Sequence, residues 1–430
     1  MTAANLTNDP RLESWIPVAP NGDFPIQNLP LGIFSRAGSA PRIGVAIGDR
    51  ILDVRAAAEA GLVDVCDRPL LCAPTLNGLF GAGRQTQRIL RDRLSALLRA
   101  GGDSALREAR TDALLVPAGG VTMHLPLDIG DYVDFYSSIE HATNLGKLLR
   151  PDSEPLLPNW RWIPIGYHGR SATVVVDGTP IVRPSGQRKP PSAAKPEFAP
   201  TAMLDIELEM GFFTGRGNQL GRPIRVAHAL EHVAGLVLVN DWSARDIQAW
   251  EYQPLGPFLG KSFATTISPW VVTLDALEPF RLEGPRQEPP PLEYLSGAPA
   301  CTYAIDLAVE LQTSQMRAEK AAAFEISRTT FARMYWSVAQ QLAHATSNGA
   351  LTRTGDLFAS GTISGPDPGT YGSLIELTWR GERPIELPNG ETRTFLQDGD
   401  EVTLRGWCER RGARRIGFGA ARGRIVPAEA

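Results

Sequence analysis

Cysteine and histidine are scarce in this sequence, and their scarcity excludes several kinds of site. The 430 residues include four cysteines and six histidines. The cysteines (Cys66, Cys72, Cys301 and Cys408) are scattered, with no CxxC pair and no histidine cluster nearby, so neither a zinc site nor a disulfide framework is expected. A reducing compartment is then the simpler interpretation, and we expect a cytoplasmic protein.

The chain also lacks a long apolar run and a strong excess of charge of either sign. No stretch is long enough to span a bilayer, and residues 1–14 lack the apolar segment of a secretory signal. The net charge of −4 gives no reason to expect nucleic acid or an anionic membrane surface as a partner. We therefore expect neither a nucleic-acid partner nor a membrane partner.

Several common catalytic signatures are absent as well. The glycine clusters at 215–221 and 417–423 miss the GxGxxG spacing of a dinucleotide-binding loop. No GxSxG elbow offers a serine nucleophile, and no HExxH pair offers a zinc site. The sequence thus gives no support to a serine hydrolase of the α/β type or to a histidine-rich transition-metal site.

Proline and glycine are plentiful instead, with 35 and 42 residues, and most apolar runs are short. Both features favour many strands bounded by turns, and the length suggests two domains. A strand pattern at 43–54, hinged at Gly48 and Asp49, and a helical pattern at 89–98 indicate a small β-rich domain over residues 1–124. Residues 125–430 form one larger β-rich unit with a few helices, one of them predicted over 327–346. The expected class is mainly β with α (α+β).

The first candidate site segment is a strand in which acidic and apolar residues alternate strictly, 204–210 (LDIELEM). Side chains two apart share one face of a strand, so Asp205, Glu207 and Glu209 should lie on one side and four apolar residues on the other. Spacing alone favours a half-exposed strand with an acidic outer face. Burial would reverse that preference, because carboxylates clustered in a cleft need a cation to remain ionised.

The second candidate segment, 240–252, follows an expected buried strand at 235–239. Drawn as a helix, it would present Asp241, Arg245, Gln248 and Tyr252 on one face. Such a face is either a solvated helix surface with an Asp–Arg pair or a site at the junction of strand and helix. The spacing leaves both interpretations open.

The third candidate segment, 131–144, places Asp134 seven residues before His141. On one helix, two turns would separate them by about 10 Å along the axis. A carboxylate for a metal and an imidazole for proton transfer would then flank one pocket. A lone histidine is more often a structural residue, so the spacing by itself favours that alternative.

Several long blocks of the sequence resemble the fumarylacetoacetate hydrolase family. They include residues 24–30 (FPIQNLP), 130–138 (GDYVDFYSS), 141–144 (HATN), 158–160 (PNW), 166–170 (GYHGR), 240–248 (NDWSARDIQ), 254–263 (PLGPFLGKSF) and 360–366 (SGTISGP). Because the blocks are long and spread over nearly the whole chain, the resemblance is specific.

The resemblance implies a fold, an assembly and an activity. The fold would be a small SH3-like barrel at residues 1–124 followed by a large mixed β-roll at 125–430, assembled as a homodimer. The activity would be metal-dependent hydrolysis of the carbon–carbon bond of 4-fumarylacetoacetate to fumarate and acetoacetate, the last step of tyrosine and phenylalanine catabolism. The substrate is a small diketo dicarboxylic acid, and all-carboxylate ligation favours Mg²⁺ or Ca²⁺.

The resemblance also implies roles for individual residues. The metal ligands would be Asp134, Glu207, Glu209 and Asp241, with Lys261 and Thr265 also lining the metal site. His141 would be the catalytic base, and Glu376 would orient it. Developing negative charge would be stabilised by Arg245, Gln248 and Lys261. The substrate would be contacted by Tyr136, Arg150, Tyr167, Gln248, Tyr252 and Thr362.

Two alternatives to this function remain. Members of the family that share the metal-binding β-roll act on smaller 2-oxo acids as acylpyruvate hydrolases, decarboxylases or hydratases. The additional N-terminal domain and the pair of His141 and Glu376 favour the diketone hydrolase. A non-catalytic binding module, suggested only by the SH3-like domain, would have no reason to hold acids and bases in this arrangement.

Overall fold

The N-terminal part of the chain is built on a five-stranded antiparallel sheet in the computed structural model, which describes residues 6–109, 111–297 and 301–429. The strands are β1 (Leu31–Ser35), β2 (Arg42–Ile47), β3 (Arg50–Asp53), β4 (Leu115–Pro117) and β5 (Thr122–His124), and they pair in the order β4-β3-β2-β1-β5. Between β3 and β4 lie the helices α1 (Val54–Glu59), α2 (Arg68–Leu71), α3 (Asn77–Gly81), α4 (Arg84–Leu98), α5 (Ala105–Glu108) and α6 (Thr111–Leu114).

Local sequence explains two features of this part. Gly48 takes a φ of +56° in the turn between β2 and β3, and a Cβ there would lie 2.3 Å from the Pro17 carbonyl oxygen. Only glycine fits such a turn without strain, so the hairpin predicted at 43–54 is confirmed. The helix predicted from the periodicity at 89–98 is also confirmed, since α4 buries Leu90, Leu94 and Leu97 along one face.

The centre of the molecule is an eight-stranded mixed sheet formed by residues after 130. Its strands are β6 (Tyr132–Phe135), β7 (Gly166–His168), β8 (Val174–Val176), β13 (Leu208–Thr214), β14 (Val233–Asp241), β16 (Thr265–Ile267), β17 (Val272–Thr273) and β22 (Leu357–Ala359). The order is β7-β6-β22-β13-β14-β16-β8, with β17 pairing with β14. The pairs β22–β6 and β16–β8 are parallel and the others are antiparallel.

This central sheet is buried on both faces, and alternate residues of its strands enter two different cores. On β14, Leu236 and Leu238 belong to the core of the C-terminal part, whereas Val237 and Val239 join the core of the N-terminal part. The five-stranded domain therefore packs against one face of the sheet. A strand covered on both faces reads as a continuous apolar run, which explains the buried strand predicted at 235–239.

A second five-stranded sheet completes the β-roll, in the order β21-β20-β25-β26-β9. Its strands are β9 (Ile181–Val182), β20 (Asp306–Gln312), β21 (Phe324–Thr330), β25 (Glu401–Cys408) and β26 (Ile416–Val426). Two-stranded ribbons are β10 (Ser185–Arg188) with β11 (Glu197–Pro200), β12 (Leu204–Asp205) with β15 (Ser243–Ala244), β18 (Arg281–Glu283) with β19 (Cys301–Tyr303), and β23 (Ile385–Glu386) with β24 (Thr392–Arg393).

The helices of the C-terminal part are mostly short. They are α7 (Ile139–Leu149), α8 (Arg245–Glu251), α9 (Leu274–Leu277), α10 (Ser314–Ala318), α11 (Val338–Thr346) and α12 (Leu374–Leu377). The helix predicted over 327–346 is wrong in its first half, because those residues complete β21 and a single 3-10 turn before Ser337 caps α11. Phe331 and Met334 are buried at α-helical spacing, although Phe331 belongs to the 3-10 turn and Met334 follows it.

The predicted class, α+β with a small N-terminal barrel and a large mixed β-roll, is confirmed by this architecture. None of the helices in the described ranges combines the length and apolar character that crossing a membrane requires.

One close backbone contact in α7 carries a stability prediction. A Cβ added at Gly146 would lie 2.0 Å from the Pro155 carbonyl oxygen. Alanine favours a helix over glycine by about 1 kcal/mol, but overpacking against backbone costs about 1–3 kcal/mol, so we expect Gly146→Ala to destabilise the fold. Urea unfolding measures the change, with Gly120→Ala as control, since a Cβ at Gly120 meets no described atom within 4 Å. An unfolding midpoint for Gly146→Ala at or above that of the wild type would contradict the prediction.

Candidate metal and catalytic site

Four strands of the central sheet each direct one polar side chain to the same face. Asp134 on β6, Glu209 on β13, Asp241 on β14 and Thr265 on β16 have the strand parity of residues that enter the N-terminal core, such as Val239 on β14. Because side chains alternate between the faces of a strand, these four lie on one side of the sheet. The pairing registers agree with this arrangement, since Asp241 pairs with Thr265 and Asp134 pairs with Ala359 of β22, the neighbour of β13.

Glu207 belongs to the same group of side chains, but it lies in a break between two strands within the segment 204–210, which was predicted as one strand. The structure ends β12 at Asp205 and begins β13 at Leu208, so the single continuous strand is wrong. Asp205 and Glu207 both contact Arg245, but only Glu207 also contacts Lys261 among the described residues. The half-exposed acidic face is also wrong, because Asp205 and Glu209 are 0% exposed and Glu207 is 5% exposed. Both sheet faces are covered here, and burial reverses the preference that spacing alone gave.

The four carboxylates lie close enough together to bind one cation. Asp134, Glu207, Glu209 and Asp241 each offer one oxygen, and these oxygens lie within 4.8 Å of one another. Within the described part of the chain, no donor reaches the buried atoms Asp134 Oδ1 and Glu209 Oε1. A buried carboxylate oxygen without a donor is costly, and a set of carboxylate oxygens suits a hard divalent cation. The cluster can therefore hold a divalent metal.

Two fixed cations accompany the cluster. Lys261 Nζ donates to Glu207 Oε2 at 2.6 Å and to Asp241 Oδ2 at 2.7 Å. Arg245 Nη2 lies 2.8 Å from Glu207 Oε1. Two positive charges do not neutralise four ionised carboxylates, and Arg245 also pairs with Asp205, so the cluster keeps an excess of negative charge that a divalent cation would reduce.

The pKa directions reflect this balance of charges. Burial, followed by the neighbouring carboxylates, raises the pKa of Asp134 and of Glu209 well above its ordinary value. Burial also acts to raise the pKa of Glu207, but the charges of Lys261 and Arg245 outweigh it and hold that pKa below its usual range. Asp134 and Glu209, which neither Lys261 nor Arg245 contacts, are thus the carboxylates that most need the charge of a bound cation.

Asp241 is the last residue of β14, so the helical face predicted to include it is wrong. The helix α8 begins only at Arg245, after the short strand β15. The Asp241 carboxylate also accepts hydrogen bonds from Thr265 Oγ1 at 3.1 Å and from the Tyr167 hydroxyl at 3.0 Å. Arg245 Nη1 donates to Gln248 Oε1 at 3.1 Å on the first turn of α8. Of the two interpretations that the spacing left open, the structure favours a site where the strand meets the helix.

His141 forms a buried pair with Glu376 beside the cluster. The His141 ring is 3% exposed, and its Nδ1 lies 2.7 Å from Glu376 Oε2. His141 belongs to the first turn of α7 and Asp134 to β6, so the prediction that both lie on one helix is wrong. They still approach the same region, because Tyr136, two residues after Asp134, packs edge-on against the His141 ring.

Glu376 is held by three further donors that the sequence interpretation missed. Asn144 Nδ2 donates to Oε1 at 2.9 Å, and the Ser364 and Ser373 hydroxyls donate to Oε2 at 2.9 Å and 2.6 Å. Burial acts to raise the pKa of Glu376, but His141 and these donors outweigh it and hold that pKa below its usual value. A signal existed for Asn144, which follows His141 by three residues on the same helix, and for Ser373, which precedes Glu376 by three residues. Ser364 lies twelve residues before Glu376, and no helical or strand spacing relates the two.

The remaining residues predicted to contact substrate are placed unevenly around the site. Tyr136 packs edge-on against His141 with ring centroids 5.4 Å apart. Thr362 Oγ1 and Arg150 Nε are buried and have no hydrogen-bond partner among the described residues, so a polar ligand could satisfy them. Tyr252 lies at the surface instead, 38% exposed, and its hydroxyl accepts a hydrogen bond from Gln253 Nε2.

A cavity of about 290 Å³ leads from the surface to the cluster. Asp241 and Lys261 line it, together with the phenol of Tyr167 and the exposed side chains of Arg170 and Phe258. The lining includes neither His141 nor Glu376, so this cavity reaches the site from the side of Asp241 and Lys261.

Comparison with known families and proteins gives one consistent result. The family described as "Fumarylacetoacetate (FAA) hydrolase C-terminal" matches residues 132–426, and the one described as "Fumarylacetoacetase N-terminal" matches residues 27–126. Fumarylacetoacetase of Homo sapiens is 50% identical over 423 residues, covering 96% of this chain and 99% of the human protein. Fumarylacetoacetase of Arabidopsis thaliana is 48% identical over 424 residues, covering 97% of this chain and 99% of the plant protein.

Solved structures share the fold at much lower sequence identity. A fumarylacetoacetate hydrolase from Exiguobacterium antarcticum is 17% identical with a TM-score of 0.51, covering 93% of this chain and 99% of the bacterial one. A putative HpcE protein from Mycobacterium smegmatis is 22% identical with a TM-score of 0.51, covering 92% and 99% of the two chains. At such identities the likeness concerns the fold alone.

Proposed function

The chain belongs to the fumarylacetoacetate hydrolase family, and from this premise we propose that it hydrolyses 4-fumarylacetoacetate to fumarate and acetoacetate. Relatives named fumarylacetoacetase are about half identical over nearly the full length of both chains. The observation that carries the proposal is the buried pair of His141 and Glu376, 2.7 Å apart, beside four clustered carboxylates. A binding module would have no use for such a pair, so the enzyme is the better explanation.

Asp134, Glu207, Glu209 and Asp241 would hold the divalent cation, with Lys261 and Thr265 completing the wall of the site. The unpartnered oxygens of Asp134 and Glu209 and the all-oxygen donor set support Mg²⁺ or Ca²⁺. When bound, such a cation supplies Lewis acidity for the two carbonyl oxygens of a 1,3-diketone. Thr265 and Tyr167 would fix the orientation of the Asp241 carboxylate through their hydroxyl groups.

His141 would take the proton from the attacking water. Its Nδ1 faces Glu376, so the tautomer with hydrogen on Nδ1 leaves Nε2 free to accept that proton. Glu376, ionised and held by four hydrogen bonds, would then stabilise the imidazolium. The ring of Tyr136 packs against His141 and would limit its rotation.

Cleavage between the two carbonyls requires donors for negative charge as it develops. Arg245 and Lys261 are fixed in place by buried carboxylates before any substrate arrives. Gln248 accepts from Arg245 through its oxygen, which leaves its amide N–H groups free to donate. Donors held in place before the reaction are the most effective kind, and these three would stabilise the oxyanion and the leaving enolate.

The two carboxylates of the substrate need their own partners. Arg150 and Thr362 carry buried polar atoms without partners in the described part of the chain, and they would bind the acid together with Tyr136, Tyr167, Gln248 and Tyr252. Tyr252 would have to move from its exposed position to do so. The proposed division into residues 1–124 and 125–430 assigns every one of these residues to the second domain.

A turnover assay separates this function from its alternatives. We expect loss of the diketone absorbance of fumarylacetoacetate, with one fumarate and one acetoacetate formed for each substrate consumed. An acylpyruvate hydrolase of the same fold would prefer the smaller acylpyruvates, a hydratase would add water without cleavage, and a decarboxylase would release carbon dioxide. A preference for any of these reactions would overturn the proposal, and no turnover at all would support the binding module.

We also propose that the protein is a cytoplasmic homodimer, as the family resemblance implies. Sedimentation at micromolar concentration should give a particle of twice the 46.6 kDa chain mass. Dilution should not dissociate it in the range of an ordinary assay, because obligate interfaces bury more apolar surface than transient ones. A monomer at micromolar concentration would contradict this part of the proposal.

A further inference from the structure

Asp205 is a fully buried acid near the site, and the proposed function leaves it without a role. Its side chain is 0% exposed and lies two residues before Glu207. It does not belong to the group of carboxylates that can share a cation. A buried carboxylate outside that group needs another reason to be there, since burying a charge is costly unless it is paired.

The partners of Asp205 come from two different parts of the proposed catalytic apparatus. Its Oδ2 accepts from Arg245 Nε at 2.7 Å. Its Oδ1 accepts from the Leu374 amide at 2.7 Å, and Oδ2 accepts from the Ile375 amide at 3.1 Å. These two amides immediately precede Glu376 in α12. One carboxylate thus joins the guanidinium that would stabilise negative charge to the backbone that carries the partner of His141.

The backbone around Asp205 reinforces the same connection. Asp205 pairs with Ser243 in the ribbon of β12 and β15, two residues before Arg245. The Arg245 amide donates to the Met203 carbonyl oxygen at 2.9 Å. The segment around Asp205 therefore holds Arg245 by its main chain and by its side chain, and the Asp205 carboxylate accepts the amide hydrogen bonds from α12.

We propose that Asp205 is a positioning residue, which fixes Arg245 relative to Glu376 and hence to His141. This inference rests on the proposed function, because it presupposes the roles proposed for Arg245, Glu376 and His141. Asp205 itself contacts neither substrate nor metal in it. The two groups it joins act on opposite ends of the same reaction, proton removal from water and stabilisation of the resulting charge. An error of about 1 Å in such a placement can cost roughly 10²-fold in rate.

The test is Asp205→Asn, which keeps the shape but has one acceptor oxygen in place of two. Whichever oxygen is replaced, the new amide N–H groups would face a donor, the Leu374 amide at Oδ1 or the Ile375 amide and Arg245 at Oδ2. We expect kcat to fall by roughly 10²-fold, KM to change by no more than about threefold, and the affinity for Mg²⁺ to stay unchanged. We also expect the downfield proton resonance of the His141–Glu376 hydrogen bond to shift.

A matched control is available in Asp400→Asn. Asp400 is 1% exposed, accepts from Arg393 Nε at 2.8 Å and Nη2 at 3.0 Å, and accepts from the Gln397 amide at 2.9 Å. This buried pair resembles that of Asp205 and Arg245 but contacts none of the proposed site residues. We expect a comparable loss of stability with kcat and the downfield resonance unchanged.

The outcomes distinguish the inference from the function on which it rests. If the wild type turns over and Asp205→Asn loses stability like the control while keeping its kcat, Asp205 is structural only and the inference is overturned. Loss of Mg²⁺ affinity in parallel with kcat would also overturn it, because the effect would then run through the metal site. If the wild type itself does not hydrolyse fumarylacetoacetate, the proposed function fails first.

A second variant covers the case in which Asp205→Asn does not fold. Removing both charges, in Asp205→Asn with Arg245→Gln, avoids an unpaired buried arginine and is better tolerated than removing one. We expect the His141–Glu376 resonance to shift in this double variant relative to Arg245→Gln alone, because only there is one of the two bonds to the Leu374 and Ile375 amides lost. The same resonance position in both would overturn the inference.

Discussion

Exhaustive chelation should abolish hydrolysis of fumarylacetoacetate by this protein, and Mg²⁺ or Ca²⁺ should restore it. The reason lies in the charges around Asp134, Glu207, Glu209 and Asp241, whose oxygens lie within 4.8 Å of one another in a buried site. Burial and the neighbouring carboxylates raise the pKa of Asp134 and of Glu209, so the cluster needs a cation to stay ionised, and without it the Lewis acid for the diketone is lost. The measurement is turnover by protein treated with chelator, before and after titration with each cation.

Variants of single ligands sharpen this expectation. Asp241→Asn and Glu209→Gln should each weaken cation affinity by more than about 10²-fold. Mutation of a residue that only hydrogen-bonds to a metal ligand already lowers metal affinity by up to about that factor, and these two variants remove a ligand itself. The fold should survive, since the loss of one ligand also removes one buried negative charge. Asp53→Asn is the control, an acid of 0% exposure in the N-terminal domain that caps α1. Cation affinity can be followed by calorimetry independently of activity.

Two results would contradict the metal requirement. Full activity in protein shown to be free of metal would exclude any catalytic cation. Unchanged cation affinity in Asp241→Asn and Glu209→Gln would place the cation elsewhere, even if chelation stopped turnover. A preference for a transition metal over Mg²⁺ and Ca²⁺ would leave the cluster in place but contradict the expectation drawn from its oxygen ligands.

The sequence predicted most reliably what depends on local pattern. The hairpin at Gly48, the amphipathic helix α4 and the buried strand β14 all follow from periodicity and turn residues within a short window. The helical start at 327 failed because Phe331 and Met334 are buried by tertiary packing at a spacing that only imitates a helix. Periodicity cannot distinguish these two cases when the apolar positions are few.

The roles of the predicted site residues stay predictions, and the local geometry expected around several of them is wrong. Asp134 lies on a strand and His141 on a helix, yet both approach one region of the molecule. Asp241 belongs to a strand, where a helix was predicted. The acidic strand is broken at Glu207, and its alternation reflects a sheet covered on both faces. Which face of a strand is buried depends on the distant N-terminal core, and a window of seven residues holds no information about it.

His141 and Glu376 should behave as one catalytic unit, and their variants provide the second large effect. His141→Asn removes the base and should lower the rate by roughly 10² or more. Fold and cation affinity should stay, because His141 is not among the cluster carboxylates and Asn144, Ser364 and Ser373 still hold Glu376. His344→Asn is the control, since that ring contacts Tyr294 at 3.0 Å, away from the cluster.

Glu376→Gln should lower the rate as well, by removing the charge that stabilises the imidazolium. If the two residues form one unit, the double variant should be little worse than the worse single variant, because the parts of a unit are not additive. Single-turnover hydrolysis of fumarylacetoacetate by both single variants and the double variant measures the coupling. Strictly additive losses would show that Glu376 acts without His141. A nearly unimpaired His141→Asn enzyme would show that the proton goes to another group. The buried pair of His141 and Glu376, 2.7 Å apart, would then have a structural role.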